Sequence, residues 1–502
     1  MKRSAERTRI VGCTGPSTMA EARAAAAFAR DLDVVEVRLD ALREPADPGG
    51  LRACFEGRTL VATLRSEAEG GAFRGSAAEA RALLATALEA GFDLVDVEYR
   101  AGENAALMGF PPTKVILSVH DLHGLPPDLP GLAVRMASTG ASFVKIAGTA
   151  NDSSDAVRLL EAQASLSGGN VSLHAMGEAG LATRVLAPYL GSTLAYAALR
   201  PGEGTAPGQV SASDLVEVYG VGRHRPAGRL FVLLGGRSSH SLSPALHNAN
   251  FEAEGDDALY VPFTLRSLSR ELPVLREGLS RIGLPLAGAS VTIPFKEEAA
   301  VVAGLEEPVN TLLFREDGAV SASNTDREAL EELIPPAGKG QRALVLGAGG
   351  LGKVAVGVLL RKGFEVVLYS RPEQQGREAA ASLGVSFISA DFSSVSPRIV
   401  VNATPLGLSA EDPLPCDVSI LRPGLLVVDA PYREGGTALA RAARAAGAEV
   451  VDGFALLLAQ AAGQAALFTG RRISAADLAR RLSGRLRSHF AAWPALGTGA
   501  PR

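Results

Sequence analysis

The chain has 502 residues, a formal net charge of −4, 47% hydrophobic and 21% charged residues. That length exceeds what one hydrophobic core usually supports, so about three domains are expected. The slight charge argues against nucleic acid or an anionic membrane as a partner. Three cysteines, Cys13, Cys54 and Cys416, lack metal-like spacing and suit a reducing compartment. Met1–Arg9 has no signal-peptide core, and no apolar run is long enough to span a bilayer, so a soluble cytoplasmic protein without a metal is expected.

Eight short apolar runs recur through the first half: Ile10–Cys13, Val34–Arg38, Thr59–Leu64, Leu94–Glu98, Lys114–His120, Phe143–Ala147, Val171–Met176 and Thr193–Ala197. Alanine-rich amphipathic stretches such as Ser76–Ala90 and Ser153–Ser167 lie between most of them. Strands alternating with helices predict parallel βα units, and eight units predict a closed (β/α)8 barrel of the TIM type, within an overall α/β class. In such barrels the chemistry sits at the C-terminal ends of the strands.

Polar residues gather at those ends. Glu36 and Arg38 share one face of the second run by period two. The third run leads into Arg65–Gly71, which includes Glu69; the fifth ends Ser118-Val119-His120-Asp121; the seventh leads to Arg184. The eighth is followed by a loop from Gly202 to Gln209 that contains Thr205. Lys145 interrupts the apolar sixth run. Two readings of it stand: a lysine snorkelling or paired with a carboxylate, or an amine held well below its solution pKa of about 10.4 and able to form an imine with a ketone.

The motifs Glu36-Val-Arg-Leu-Asp, Arg65 through Gly71, Ser118-Val-His-Asp, Val144-Lys-Ile-Ala and Thr205-Ala-Pro-Gly-Gln span residues 1–222, and this half resembles type I 3-dehydroquinate dehydratases. The resemblance implies that Lys145 forms an imine with the substrate ketone and that His120 is the general base and acid, tuned by Glu69. It also implies that Arg184 holds the substrate carboxylate, and that Glu36, Arg38, Arg65, Thr205 and Gln209 grip the hydroxyls and carboxylate. Thr205 stands where many members carry serine.

A Gly/Pro/Arg-rich stretch, 223–228, reads as a linker. Beyond it, Leu230–Gly236 reads as a strand leading to Ser241-Leu242-Ser243-Pro244. Pro244 suits a helix start, where Ser241 and Ser243 either cap the helix or help bind a carboxylate. The strand Ala343–Leu346 leads into Gly347-Ala348-Gly349-Gly350-Leu351-Gly352 and the helix Val354–Leu360, followed by a second strand, Glu365–Tyr369. Strand, glycine loop and helix in that order predict a dinucleotide-binding Rossmann unit. The second strand ends in Ser370-Arg371 with no carboxylate, which favours the 2′-phosphate of NADP over NAD.

Ser241-Leu-Ser-Pro, Val291-Thr-Ile-Pro-Phe-Lys, Val309-Asn-Thr, Asn324-Thr-Asp, Asn402-Ala-Thr-Pro and Asp452-Gly with Gln460, together with the glycine loop, make residues 228–489 resemble shikimate dehydrogenases. The resemblance implies a catalytic pair, Lys296 and Asp326, with Ser241, Ser243, Thr292, Asn310, Tyr432 and Gln460 around 3-dehydroshikimate. The glycine loop, Ser370, Arg371, Asn402, Thr404 and Gly453 would hold NADPH. Ser290 stands where many members have asparagine, and Ser370-Arg371-Pro372 replaces Asn-Arg-Thr. The implied organisation is a barrel over 1–222, a discontinuous substrate domain over 229–325 and 452–490, a Rossmann domain over 326–451 and a frayed tail over 491–502. The implied function is bifunctional: dehydration of 3-dehydroquinate followed by NADPH reduction to shikimate, as a monomer or homodimer. The rival readings are a catalytically silent quinate-responsive regulatory protein and a quinate dehydrogenase activity in the second half.

Overall fold

All eight apolar runs of the first half form strands: β1 (Arg9–Thr14), β2 (Val34–Arg38), β3 (Thr59–Thr63), β4 (Leu94–Glu98), β5 (Val115–Asp121), β6 (Phe143–Thr149), β7 (Val171–Met176) and β8 (Leu194–Ala198). The computed structural model describes residues 8–43, 47–100, 108–222, 228–236, 241–315, 317–389 and 391–485. Most of the expected linker and the whole expected tail lie outside these residues. Intervening helices start where side chains satisfy their free amides. Ser76 and Glu79 form a capping box at Ala77–Glu89, and Asp152 accepts from the Ser154 and Asp155 amides at Ser153–Ser165.

The strands pair in parallel in the order β7-β6-β5-β4-β3-β2-β1-β8. Wrapping leaves a seam between β7 and β8, where side chains take the place of a backbone ladder. The Leu173 amide donates to Gln163 Oε1 (2.8 Å), Gln163 Nε2 donates to the Val171 carbonyl (3.4 Å), and the Ala175 amide donates to Thr183 Oγ1 (2.8 Å). From β8, the Leu194 amide donates to Ser172 Oγ (2.9 Å). The barrel is therefore nearly closed, with its last edge satisfied by buried polar side chains.

By contacts the chain divides into two compact units, one of Met1–Pro244 with Asp257–Leu286, the other of Ala245–Asp256 with Ala287–Arg502. The first thus adds to the barrel the parallel pair β9 (Arg229–Gly235) and β10 (Ala258–Thr264) and the helix Leu268–Arg281. That helix docks on the barrel helix Ser153–Ser165: Glu271 Oε2 accepts from the Ser153 amide (3.0 Å) and hydroxyl (2.6 Å), and Arg281 pairs with Glu161 (2.8 Å).

The second unit contains β11 (Leu286–Val291) from Ala287 on, β12 (Thr311–Phe314) and β13 (Val320–Ser323), paired antiparallel in sequence. It then builds a parallel sheet from β14 (Arg342–Leu346), β15 (Glu365–Tyr369), β16 (Ser386–Phe387), β17 (Ile399–Asn402), β18 (Leu426–Asp429) and β19 (Glu449–Asp452), in the order β16-β15-β14-β17-β18-β19. This is the doubly wound Rossmann order, whose switch point falls between β14 and β17. Alternate strand residues bury on opposite faces, Val345, Ile399 and Val401 on one and Leu344, Leu346 and Val400 on the other. The glycine loop and the loop after Asn402 leave the C-terminal ends of these two central strands. No helix among the described residues is long and apolar enough to cross a membrane.

Candidate active sites

Lys145 lies inside the barrel, 4% exposed. The apolar context of its own strand hides its partners, which come from β2 and β4: Nζ is 3.2 Å from Glu36 Oε1 and 3.5 Å from Asp96 Oδ2, and sits 4.0 Å from the centroid of the Tyr196 ring. Thr63 Oγ1 donates to Glu36 Oε1 (2.7 Å), Cys13 Sγ to Glu36 Oε2 (3.0 Å), and Ser118 Oγ to Asp96 Oδ1 (2.6 Å). Burial alone would raise both carboxyls; Lys145 holds Glu36, and Arg65 with Lys145 holds Asp96, below the ordinary range. The reading of Lys145 as a lysine paired with carboxylates therefore holds, and the paired amine also lines a cavity.

Arg65 is the hub of the site. Its Nη2 donates to Asp96 (2.7 Å), and its Nη1 reaches Glu69 (3.1 Å), Glu98 (3.2 Å) and Ser118 (3.1 Å). Buried among carboxylates, it is held above the usual guanidinium range despite desolvation. The loop Arg65–Gly71 folds back tightly enough that a Cβ at Gly71 would lie 2.1 Å from the Arg65 carbonyl oxygen, so only glycine fits there.

That loop carries Glu69 to His120. Glu69 Oε2 accepts from the His120 amide (3.1 Å) and lies 2.9 Å from His120 Nδ1. With Arg65 Nη1 and an amide already donating to that oxygen, the ring's Nδ1 is the protonated nitrogen and Nε2 keeps its lone pair. Burial first, then the Arg65 and Lys145 cations, lower the imidazole well below its ordinary value, so the contact joins a neutral ring to a carboxyl rather than an ion pair. Burial pushes Glu69 up to about 7, helped by Glu98 and Asp96 and opposed by Arg65.

Around the cavity mouth, Arg38 is held by a bidentate pair with Asp40 (2.8 and 2.7 Å), and Asp40 also accepts from the Arg65 and Ala72 amides (3.1 Å each). Gln209 Oε1 accepts from the Thr205 amide (2.7 Å) and hydroxyl (3.2 Å). Arg184 is different. It is 4% exposed, its Nη1 reaches the Tyr196 carbonyl at 3.4 Å, and its Nε and Nη2 have no partner among the described residues. Burial pushes this guanidinium down to about 10, which leaves it charged at neutral pH. All nine barrel residues expected at the site, Glu36, Arg38, Arg65, Glu69, His120, Lys145, Arg184, Thr205 and Gln209, line one cavity. Cys13, His174 and Tyr196 line it too, unannounced, while Asp96 and Glu98 reach the site through their ion pairs with Arg65 and Lys145. Period two along Leu94–Glu98, which puts Asp96 and Glu98 on one face, carried the signal for the acids.

In the first unit Ser241 Oγ accepts from the Ser243 amide (3.2 Å), and Ser243 opens the helix Ser243–Glu254. In the second, Lys296 begins the helix Lys296–Val302 and Asp326 lies in the first turn of Thr325–Leu333, capped by Asn324. Their side chains meet at 2.6 Å. Beside them Asn310 Nδ2 donates to Thr325 Oγ1 (3.0 Å) and lies 3.5 Å from Gln460 Oε1, while Asn310 Oδ1 accepts from the Thr325 amide (2.9 Å). Gln464, one helical turn beyond Gln460, binds the Asn310 carbonyl (3.1 Å) and Ser290 Oγ (2.9 Å); its i+4 spacing was the sequence signal. Thr292 and Tyr432 are half-buried.

The glycine loop adjoins this pair, since a Cβ at Gly350 would lie 3.5 Å from Lys296 Cβ. A Cβ at Gly352 would stand 1.9 Å from the Gly347 carbonyl oxygen, so helix and loop close together only with glycine. Gly349 faces open space and Ala348 is buried. Ser370 is buried and Arg371 exposed at the end of β15, with no carboxylate at that strand end. Asn402 is engaged by protein: its Nδ2 donates to Asp429 (2.7 Å) and its Oδ1 accepts from Thr404 Oγ1 (2.6 Å), which fixes the turn that carries Thr404. A Cβ at Gly453 would lie 2.3 Å from the Ala430 carbonyl oxygen, where the last long helix starts. Among the described residues no cluster of His, Cys, Asp or Glu is placed to hold a metal.

Both halves of the chain are similar to known proteins. A family model for type I 3-dehydroquinase matches residues 10–225, and one for the shikimate dehydrogenase substrate binding domain matches residues 233–310. The bifunctional 3-dehydroquinate dehydratase/shikimate dehydrogenase, chloroplastic, of Arabidopsis thaliana is 31% identical over 475 residues, 87% of this chain and 78% of that protein. The chain belongs to this bifunctional family. The shikimate dehydrogenase (NADP(+)) of Rubrobacter xylanophilus is 38% identical over 272 residues, 50% of this chain and 94% of that relative. The solved shikimate dehydrogenase of Aquifex aeolicus is 29% identical, covers 51% of this chain and 97% of its own, and has a TM-score of 0.45.

Proposed function

We propose that the barrel dehydrates 3-dehydroquinate through an imine on Lys145 and that the second half reduces the product, 3-dehydroshikimate, to shikimate with NADPH. Lys145 Nζ attacks the ketone carbon and water leaves, which forms a cationic imine. His120 Nε2 takes the proton from the adjacent carbon and the electrons flow into the imine. The hydroxyl then departs with a proton returned by His120, and water releases the product from Lys145. Glu69 holds the ring in the reactive tautomer, and Arg184, whose Nε and Nη2 are unpartnered among the described residues, supplies the cation for the substrate carboxylate. Glu36, Arg38, Arg65, Thr205 and Gln209 surround the hydroxyls.

For the reduction, Lys296 protonates the forming alkoxide and Asp326 positions Lys296, while bound NADPH supplies the hydride. The open face of Gly349 and the exposed Arg371 fit the cofactor's phosphates. Ser241, Ser243, Thr292, Asn310, Tyr432 and Gln460 would contact the substrate, with Thr404 and Gly453 near the cofactor. The functional parts on this reading are 1–222, 229–325 with 452–490, and 326–451, acting in the cytoplasm.

The observation that carries the reading is a buried lysine lining a cavity that a neutral, carboxyl-tuned histidine and an arginine with two unpartnered nitrogens also line. Borohydride added with 3-dehydroquinate should attach substrate mass to Lys145; an active enzyme with unmodified Lys145 would overturn the imine.

A further inference from the structure

His174 has no part in the chemistry above, yet it lines the same cavity. It lies on β7 at the level of Ala147, two residues toward the C-terminal end from the Lys145–Ser172 pair. Its ring is 6% exposed and stacks on Tyr196 at 5.3 Å and 29°, the same ring that Lys145 Nζ approaches at 4.0 Å. No hydrogen-bond partner for either ring nitrogen is present among the described residues. The neighbouring Arg184 likewise keeps Nε and Nη2 unpartnered. His174 and Arg184 line one cavity, and between them they offer an imidazole N–H and two guanidinium nitrogens that the protein leaves unused, which suits a group with two acceptor oxygens. Burial first, then Arg184 and Lys145, keep the imidazole neutral, so it offers one N–H beside a guanidinium without repelling it.

We propose that His174 contacts the substrate carboxylate, donating to one oxygen while Arg184 binds the other, and so fixes the carbon from which hydroxide departs. This rests on the dehydratase reading of the barrel. A purely packing role would be served equally by an apolar side chain of similar size.

The test compares 3-dehydroquinate dehydration by wild type, His174→Leu, His174→Phe, which preserves a ring against Tyr196, and His174→Gln, which retains an N–H donor. Folding of each is checked by circular dichroism. Loss of one hydrogen bond to a charged group should raise KM about tenfold or more in Leu and Phe, with kcat falling less and Gln recovering most of the loss. A KM within twofold of wild type in either folded apolar variant, or Gln no better than Leu, would overturn the assignment. Absence of dehydration by wild type would instead remove the underlying reading, before any variant is compared.

Discussion

Glu69 Oε2 accepts from Arg65 Nη1, the His120 amide and His120 Nδ1, all from one atom of a carboxyl that burial has pushed up to about 7. As pH falls through that value the carboxyl takes a proton and ceases to anchor the Nδ1–H. Dehydratase kcat/KM should therefore fall below about pH 7, although the His120 ring itself stays neutral there. Glu69→Gln should abolish this acidic limb and lower kcat by about 10²-fold, the scale of a lost proton-transfer arrangement; a limb that persists in the variant would assign it elsewhere. The same shift has a stability sign. The folded value lies above the starting 4.5, so the carboxyl's contribution is present below 4.5 and lost as pH rises through 7. Thermal unfolding of Glu69→Gln relative to wild type should accordingly improve as pH rises across that window. Much of this site was readable from strand-end residues, because chemistry-bearing side chains in a barrel project at strand ends. Asp96 and Glu98 escaped because two acids in an apolar strand look like a solvated face until Arg65 and Lys145 are brought opposite them.

Among the elements, the eight barrel strands and the strands around the glycine loop were legible because a strand covered on both faces is a continuous apolar run. The β7–β8 seam was not, since it depends on single side chains, Gln163 and Thr183 from two helices and Ser172 from β7 itself. Gln163 sits in Ser153–Ser165 with no exposure and serves both the Leu173 amide and the Val171 carbonyl. Gln163→Leu should leave both buried backbone groups unsatisfied and destabilise the barrel by about 2–4 kcal/mol, measured by denaturant unfolding; an unchanged midpoint would mean β7 and β8 close without it. In the dinucleotide unit, Gly352→Ala would drive a methyl to 1.9 Å from the Gly347 carbonyl oxygen. The loop must then shift, so KM for NADPH should rise at least tenfold while 3-dehydroquinate dehydration, measured without NADPH, stays normal. Loss of both activities in a folded protein would contradict that separation.

For the whole molecule, motif order in the chain tracks function more closely than it tracks compactness. The first shikimate dehydrogenase-like strands, β9 and β10, and the helix Leu268–Arg281 belong by contacts with the barrel, through Glu271 on Ser153 and Arg281 on Glu161. Nothing in the local sequence announces this, because a serine at a helix start and a glutamate on an amphipathic helix are each unremarkable until they meet. The two sets of reacting residues, Lys145 with His120 and Lys296 with Asp326, nevertheless lie in different units. Each should therefore be removable without the other.

The central claim is that one chain performs both reactions in order at these two lysines. Wild type, Lys145→Ala and Lys296→Ala are each supplied with NADPH and either 3-dehydroquinate or 3-dehydroshikimate, and NADPH absorbance and product identity are followed. Wild type should make shikimate from both substrates. Lys145→Ala should oxidise NADPH only when given 3-dehydroshikimate, and Lys296→Ala should convert 3-dehydroquinate to 3-dehydroshikimate and stop. Shikimate formed from 3-dehydroquinate by Lys145→Ala, or no NADPH oxidation by wild type with either substrate, would contradict the account.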